Sequence, residues 1–334
     1  MKNFLVVGAG LSGLTIAREL ADAGHRVTII DKRSHIAGNA YDFINNHGIR
    51  VHKYGPHLFH TNNKTVLEYL SRFTEWVPYE HRVKAQLSDG TYVPFPPNRL
   101  TKELVEDVVE TFYRPYTKKM WGKELEDVNP TILQRVPGRD DDEDRYFPND
   151  EFQYMPKYGY TYMCENMRDH DNIDLHLNTE FDPHFEESGY DHIFNSMPID
   201  EYYGYTFGEL EYRSIKFHTM NIPAVRLLPA TTVNFTNDSK YTRVTEWKNI
   251  PLHGWNDAHT TLTFEEPCDY KENNMERYYP INDFDNKERY LKYKAIENKN
   301  MTFIGRCGQY VYLNMDQVIN SSLSTIRKYI NKIS

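Results

Sequence analysis

Short apolar runs alternate with amphipathic stretches along the chain, and this alternation predicts an α/β protein. Residues 4–7 form a continuous apolar run, which is typical of a buried parallel strand. Apolar positions at helical spacing follow over residues 14–23, and residues 25–30 predict a second strand. Near the end, residues 301–306 predict another buried strand, and residues 314–329 predict a final helix. The pattern therefore predicts an initial β-α-β unit that a strand and a helix from the end of the chain complete.

The middle of the chain carries shorter strands and turns. Residues 82–87 and 91–95 flank the turn Ser88-Asp89-Gly90 and predict a hairpin. Apolar residues at helical spacing predict a single helix over residues 101–121. Alternating faces predict antiparallel strands at residues 232–235, 241–247 and 259–264.

Glycines follow the first strand at the spacing of a dinucleotide-binding loop. Gly8 permits a tight turn, Gly10 lets the backbone approach a pyrophosphate, and Gly13 lets helix and strand pack closely. Asp31 ends the second strand, where a carboxylate binds ribose hydroxyls and favours FAD or NAD over NADP. A second turn of small residues, within residues 32–40, favours FAD. The order of strand, glycine loop, helix, strand and acid argues against the alternative that the glycine loop is only a structural turn. The predicted cofactor-binding residues here are Gly8, Gly10, Leu11, Ser12, Gly13, Asp31, Lys32, Gly38 and Asn39.

Composition and charge narrow the partners and the location. Of the 334 residues, 26% are charged and 39% are hydrophobic, as in ordinary globular proteins. The net charge of −9 argues against a general surface for nucleic acid or anionic membranes. Three widely separated cysteines indicate a reducing compartment, and neither a signal peptide nor a membrane span is visible. We therefore expect a cytoplasmic protein.

Two clusters of polar residues could be interpreted as metal sites, but the spacing of their side chains argues against it. Residues 139–145 are mostly acidic, but consecutive acids rarely converge on one ion, so we expect a solvent-exposed loop. His57 and His60 have no cysteine or acid nearby in the sequence to complete a zinc site. We predict no metal site, and we expect the loop around His57 to face the flavin.

Five ordered motifs carry a resemblance to a known family. They are Y-G-P-H-L-F-H-T at residues 54–61, P-Y-T-K-K-M-W-G at 115–122, Y-T-R-V-T-E at 241–246, Y-Y-P-I at 278–281 and G-R-C-G-Q-Y-V-Y-L-N-M-D at 305–316. Through these motifs the chain resembles the UDP-galactopyranose mutase family. The resemblance extends from residue 6 to the last helix. The resemblance implies a Rossmann-like FAD-binding domain, a reduced helical insertion and an antiparallel β-sheet substrate domain.

The resemblance also implies a reaction. Members of the family interconvert UDP-galactopyranose and UDP-galactofuranose, a precursor for cell-surface polysaccharide. Reduced FAD acts as the nucleophile: its N5 attacks the anomeric carbon and expels UDP, and the flavin–sugar adduct opens and recloses through another hydroxyl. No net redox change occurs, but an external reductant must keep the flavin reduced.

Matching positions imply roles for individual residues. Two arginines would bind the diphosphate, because the planar guanidinium fork holds phosphate oxygens bidentately. The catalytic candidates are Arg135, Arg243, His57 and Asn314. The substrate-binding candidates are Tyr113, Tyr116, Thr117, Trp121, Tyr146, Phe147, Tyr279, Tyr312 and His81. Flavin contacts are also expected from His57, Gly305, Arg306 and Met315.

The chain departs from the family pattern at several places. Ala37 replaces a usual glycine, which is a mild change if its φ is negative. Asn314 stands where an aspartate is usual and His81 where an asparagine is common, so an N-acetylated, deoxy or pentose analogue of the sugar stays open. The chain is also shorter between Asn98 and Trp121, a region that supplies dimer contacts in bacterial relatives. A homodimer is therefore possible but not required.

Two other function classes share part of these features. A flavin oxidoreductase of the amine-oxidase type shares the opening dinucleotide unit, and a binder of flavin or nucleotide sugar without turnover is the third class.

The predicted domain division gives an FAD-binding domain at residues 1–75, 190–210 and 296–334. It gives a helical insertion at 98–135, and a substrate domain at 76–97, 136–189 and 211–295.

Overall fold

The computed structural model describes residues 1–128, 138–182, 189–255, 258–296 and 298–333. The helices are α1 (Leu11–Asp22), α2 (Lys64–Leu70), α3 (Arg99–Leu104), α4 (Arg114–Trp121), α5 (Tyr160–Arg168), α6 (Ile199–Tyr202), α7 (Phe284–Lys294), α8 (Gly305–Gly308) and α9 (Met315–Ile333). The first strands are β1 (Asn3–Val7), β2 (Arg26–Asp31), β3 (Asp42–Ile44), β4 (Arg50–His52), β5 (Phe59–Thr61), β6 (Trp76–Pro78), β7 (Val83–Gln86), β8 (Tyr92–Phe95) and β9 (Phe152–Pro156). The remaining strands are β10 (Ile173–Leu177), β11 (His192–Asn195), β12 (Tyr212–Ile222), β13 (Thr232–Phe235), β14 (Arg243–Glu246), β15 (Thr260–Asp269), β16 (Tyr279–Pro280) and β17 (Met301–Phe303).

Five parallel strands form the sheet that begins with the first apolar run. Their order is β10-β2-β1-β11-β17. Leu14, Ile16 and Leu20 of α1 are fully buried, and they share one core with Ile319 and Ile326 of α9. The predicted β-α-β unit and the strand and helix that complete it are confirmed.

The sequence predicted a different domain for the edge strand β10 of this sheet. Residues 136–189 were expected in the substrate domain, but Ile173–Leu177 pairs in parallel with β2. Ile173, Leu175 and Leu177 pack against the core of the parallel sheet, while the alternate residues Asp174 and His176 are exposed. This alternation suits an edge strand with one buried face. The other domain boundaries stay predictions.

A seven-stranded sheet forms the second layer. Its order is β16-β12-β15-β14-β13-β7-β8. The three strands predicted at residues 232–264 are confirmed as an antiparallel set, with β14 between β13 and β15. The predicted hairpin of β7 and β8 is confirmed as well, but it joins β13 in parallel, so the sheet is mixed rather than wholly antiparallel.

The helix predicted over residues 101–121 is broken, and that prediction was wrong in its extent. α3 ends before Val105, whose backbone is extended, and the chain restarts as a π-helical turn at Val109–Tyr113 that leads into α4. Asp107 explains the restart, because its Oδ1 accepts hydrogen bonds from the backbone N–H groups of Val109 and Glu110 at 2.9 and 3.0 Å. The break lets Val105 and Phe112 pack under β7 and β8.

The remaining strands form two small sheets, β3-β4 and β5-β9-β6. Across the residues that the structure describes, no helix is both long and apolar enough to span a bilayer.

Candidate functional site

The glycine loop after β1 is packed so closely that side chains would not fit. Gly8 has a φ of +103°, and a Cβ there would lie 2.0 Å from Ser196 Oγ. A Cβ on Gly13 would lie 1.9 Å from the carbonyl oxygen of Gly8, so helix and loop touch directly. A Cβ on Gly38 would lie 2.9 Å from Gly10 Cα, which brings the second turn against the first. Gly8, Gly10 and Gly38 all line one cavity.

That cavity has a volume of about 490 Å³ and lies at the carboxyl ends of β1 and β2. All the predicted cofactor residues except Gly13 line it, and Gly13 lies beneath Gly8. The N-terminal residues of α1 and α9, Leu11 and Met315, both face it. Helix N-termini favour phosphate through their free N–H groups and dipoles. The cavity therefore fits an elongated, anionic dinucleotide.

Asp31 accepts hydrogen bonds from both the glycine loop after β1 and the segment after β2. Its Oδ2 accepts a hydrogen bond from the N–H of Ala9 at 2.7 Å, and its Oδ1 accepts one from the N–H of Arg33 at 2.8 Å. A carboxylate keeps further acceptor capacity, so these bonds are compatible with the predicted ribose contact.

Ala37 adopts a left-handed conformation, and not the negative φ that would have made the replacement of glycine a mild change. Its φ is +70°, in the left-handed region, and the residue is buried. Its N–H donates to the carbonyl of Ala9 at 2.9 Å, which holds the second turn against the first. The replacement of glycine is therefore a strained one, because a Cβ is unfavourable at this φ.

Arg243 is the centre of a second cluster, beside the seven-stranded sheet. Its Nη2 donates to Tyr116 Oη at 3.1 Å, and its Nε lies 3.3 Å from Glu265 Oε2. Burial alone would lower the pKa of Arg243, but the charge of Glu265 and the nearby tyrosines outweigh it and raise the pKa. Burial raises the pKa of Glu265, and Arg243 counteracts this. The site thus holds a half-buried, permanently charged guanidinium.

Glu265 was missed by the sequence analysis. It lies on β15 directly opposite Arg243 on β14, with only 4% of its side chain exposed. The sequence did show a charged residue at an inward position of a predicted strand. It did not show the strand register that pairs this residue with Arg243.

Aromatic residues link this cluster to the cavity. The rings of Tyr279 and Tyr312 stack with centroids 5.6 Å apart, and Arg243 and Glu265 both influence the pKa of Tyr279, which burial raises. The guanidinium of Arg306, which lines the cavity, lies 4.8 Å from the Tyr312 ring. Tyr279 and Tyr312 therefore lie between Arg243 and the dinucleotide cavity.

His81 and its neighbours lie near this cluster. Burial first, and then the charge of Arg243, lowers the pKa of His81 to about 3. Its Nδ1 lies 3.0 Å from Tyr79 Oη, and its ring centroid lies 5.7 Å from that of Tyr146. The rings of Phe147 and His60 stack with centroids 3.6 Å apart, and His60 Nδ1 contacts Asp150 Oδ2.

The remaining predicted substrate residues lie on the helical segment and before α9. Tyr113 ends the π-helical turn, while Thr117 and Trp121 lie on α4; Thr117 is buried. Trp121 Nε1 is a buried donor without an acceptor among the described residues. Asn314 directly precedes α9 and its N–H donates to Gln317 Oε1 at 2.9 Å. Arg135 lies outside the described residues. The substrate roles of these residues stay predictions.

His57 sits at the cavity in a defined hydrogen-bonding state. Its Nδ1 lies 2.9 Å from the carbonyl oxygen of Gly55, and its backbone N–H donates to His52 Nδ1 at 3.1 Å. Burial lowers the pKa of His57 to about 4, so the ring is neutral near pH 7. Neutral imidazole with Nδ1–H donated leaves Nε2 as an acceptor. Within the described ranges, no group of three His, Cys, Asp or Glu side chains could hold a metal ion.

Comparisons with known proteins agree with this arrangement. Residues 111–312 match the sequence model of UDP-galactopyranose mutase, and residues 6–73 match that of an NAD(P)-binding Rossmann-like domain. A probable UDP-galactopyranose mutase of Klebsiella pneumoniae is 35% identical over 373 positions, which cover 100% of this chain and 96% of the relative. The dTDP-fucopyranose mutase of Escherichia coli is 32% identical over 379 positions, with 99% of each chain covered.

A solved structure has the same fold. The crystal structure of a reduced UDP-galactopyranose mutase superposes with a TM-score of 0.77 at 15% identity, covering 99% of this chain and 96% of that one. The alignment with the Klebsiella relative is longer than this chain, so the relative carries segments that are missing here. Because both the family model and the full-length relatives agree, this chain is an isomerase of the UDP-galactopyranose mutase family.

Proposed function

We propose that this chain interconverts the pyranose and furanose forms of a UDP-sugar, most directly UDP-galactose, with reduced FAD bound in the cavity. The observation that carries the proposal is the half-buried, charged Arg243, which the Tyr279–Tyr312 stack connects to the dinucleotide cavity. A permanently charged fork beside a dinucleotide site suits a nucleotide sugar whose diphosphate must leave and return.

FAD would be held by the glycine turns, Asp31, Arg306 and Met315, and its reduced form supplies a nucleophilic nitrogen for the anomeric carbon. The chain's own residues would position the substrate and stabilise charge. Arg243, together with Arg135, would bind the diphosphate. As UDP departs it gains negative charge, so this contact lowers the barrier more than it strengthens ground-state binding.

The other cluster residues would orient the two ends of the substrate. Tyr113 and Tyr116 present aromatic rings for the uracil, and Trp121 lies one to two turns further along the same helical segment. Tyr146, Tyr279 and Tyr312 offer hydroxyl groups to the diphosphate and the sugar. His57 is neutral, so it would accept a hydrogen bond at the flavin without placing a positive charge there.

A second candidate substrate is a deoxy sugar on another nucleotide. The E. coli relative is named for dTDP-fucopyranose, and it matches this chain over nearly its full length. His81 and Asn314 depart from the usual residues at sugar-contact positions. These two substitutions change the hydrogen-bonding groups offered to the sugar, which is compatible with a different hydroxyl pattern on the ring.

The experiment compares UDP-galactofuranose and the furanose form of dTDP-fucose as substrates of the reduced, purified protein. Chromatography of the nucleotide sugars measures conversion to the pyranose. We expect conversion of UDP-galactofuranose with the larger kcat/KM. Preference for the fucose substrate would move the assignment to deoxy sugars. Conversion of neither, with flavin bound, would contradict the proposal.

A further inference from the structure

An ion pair joins two parts of the chain across the dinucleotide cavity. Arg33 follows β2 of the parallel sheet, and Glu276 lies between β15 and β16 of the seven-stranded sheet. Arg33 Nη2 lies 2.5 Å from Glu276 Oε2, and both residues line the cavity. Their side chains are 18% and 29% exposed, so the pair lies at the rim rather than in the interior.

Arg33 is held in place from its own side of the cavity. Its N–H donates to Asp31 Oδ1 at 2.8 Å, and its Nη1 donates to Asn39 Oδ1 at 2.9 Å. Its guanidinium lies 4.4 Å from the Tyr54 ring, a cation–π distance. An arginine ordered in advance loses little further entropy when it binds a carboxylate.

The position of Glu276 argues for a role beyond surface charge. A carboxylate at the rim of a cavity for an anionic dinucleotide is electrostatically unfavourable unless a cation neutralises it. Arg33 provides that cation, and the pair adds a bond between the sheets at the edge of the cavity. A second ion pair, between Arg277 Nη1 and Glu201 Oε2 at 2.8 Å, also joins the two sides of the cavity, so losing the Arg33–Glu276 pair would loosen the rim rather than unfold either sheet.

We propose that Arg33 and Glu276 form a closing ion pair that retains the bound dinucleotide and opens for its exchange. This inference rests on the proposed function only in that the cavity binds FAD. Arg33 and Glu276 act by holding the rim of the cavity closed.

The test measures the rate at which FAD leaves the full-length protein, followed as the rise of flavin fluorescence after dilution. Glu276→Gln keeps the shape of the side chain and removes its charge. We expect release to become roughly tenfold faster, the effect of losing one charge-assisted hydrogen bond between partly buried groups. Added salt should speed release from the wild type more than from the variant, because only the wild type has an ion pair to screen.

Two further variants separate closing from general structure. Glu272→Gln is the matched control: Glu272 lies on the same segment, is 65% exposed beside Lys216 and does not line the cavity, so release should match the wild type. The charge reversal Arg33→Glu with Glu276→Arg should return release towards the wild-type rate, whereas Arg33→Glu alone should accelerate it.

The outcomes distinguish this proposal from the proposed function. Unchanged release from Glu276→Gln, in a protein that holds FAD, would overturn the closing pair and leave the mutase proposal standing. Faster release that the charge reversal does not reduce would also overturn it. A wild type that binds no FAD would overturn both.

Discussion

Arg243 combines partial burial, permanent charge and contact with an aromatic hydroxyl, and these properties together suit the diphosphate contact that we propose for it. Replacing it by alanine leaves Glu265 buried without its cation. We expect Arg243→Ala to lower kcat by about 10²-fold or more, as loss of a preorganised charged donor does. Flavin should be retained, because Arg243 does not line the cavity.

Steady-state kinetics and the flavin absorbance of the purified variant check this prediction. Arg243→Lys separates charge from geometry, because it keeps the cation for Glu265 but loses the fork. Arg114→Ala is the control, since Arg114 forms exposed ion pairs with Glu110 and Glu126. Near-normal turnover in Arg243→Ala would contradict the assigned role.

Ala37 gives a prediction of the opposite sign. Its φ of +70° is unfavourable for any residue with a Cβ. We expect Ala37→Gly to raise the free energy of unfolding by about 1 kcal/mol, net of the extra freedom of glycine in the unfolded chain. Ala40→Gly is the control. Ala40 lies in a right-handed turn, so replacing it by glycine should lower the free energy of unfolding. Urea unfolding measures both, and a destabilised Ala37→Gly would show that the strain is absent.

At the scale of elements, the close packing of α1 on the glycine loop decides whether the cavity forms. Gly13→Ala would place a Cβ 1.9 Å from Gly8 O and 3.0 Å from Val6 Cγ1, so the helix must move. We expect a loss of about 2–3 kcal/mol in unfolding free energy and weaker FAD binding. Gly189→Ala, which adds a Cβ in open space, should change stability little. Equal stability of the two variants would contradict the packing argument.

The elements that sequence predicted well depend on local patterns. The glycine loop, its flanking strands and the hairpin of β7 and β8 follow from spacing and turn residues within one short segment. The break after α3 did not follow, because apolar residues continue at helical spacing across it. It depends on the hydrogen bonds of Asp107 and on the burial of Val105 and Phe112 under a sheet.

Parts of the site that sequence missed depend on contacts between distant segments. Glu265 meets Arg243 only through the register of β14 and β15. Ser196 reaches Gly8 because β11 lies beside β1 in the parallel sheet. Glu276 meets Arg33 across 243 residues of sequence. No spacing rule relates such pairs, whereas the motif around Arg243 is continuous in the chain.

At the scale of the whole molecule, buried neutral histidines should make stability depend on pH. Burial lowers the pKa of His57 and His253 to about 4 and that of His81 to about 3. In the unfolded chain these groups bind protons near pH 6.5, so below that pH the unfolded state binds more protons than the folded one. The free energy of unfolding should therefore fall as pH drops from about 6.5 towards 4, by ~1.4 kcal/mol per pH unit for each such histidine.

Replacing one buried histidine tests this dependence. His253→Gln should reduce the slope of unfolding free energy against pH by ~1.4 kcal/mol per unit, whatever its effect on absolute stability. Urea unfolding at several pH values between about 4.5 and 7 gives the slopes. An unchanged slope in His253→Gln would show that this histidine is not held neutral.

We propose that this chain isomerises a nucleotide sugar with a reduced flavin and no net oxidation. The most direct measurement is the conversion of UDP-galactofuranose to UDP-galactopyranose by the purified protein, with and without dithionite, followed by chromatography. The proposed mechanism predicts conversion only when the flavin is reduced, with no loss of the sugar to an oxidised product. Equal conversion without reductant, or oxygen consumption with an oxidised product, would contradict it.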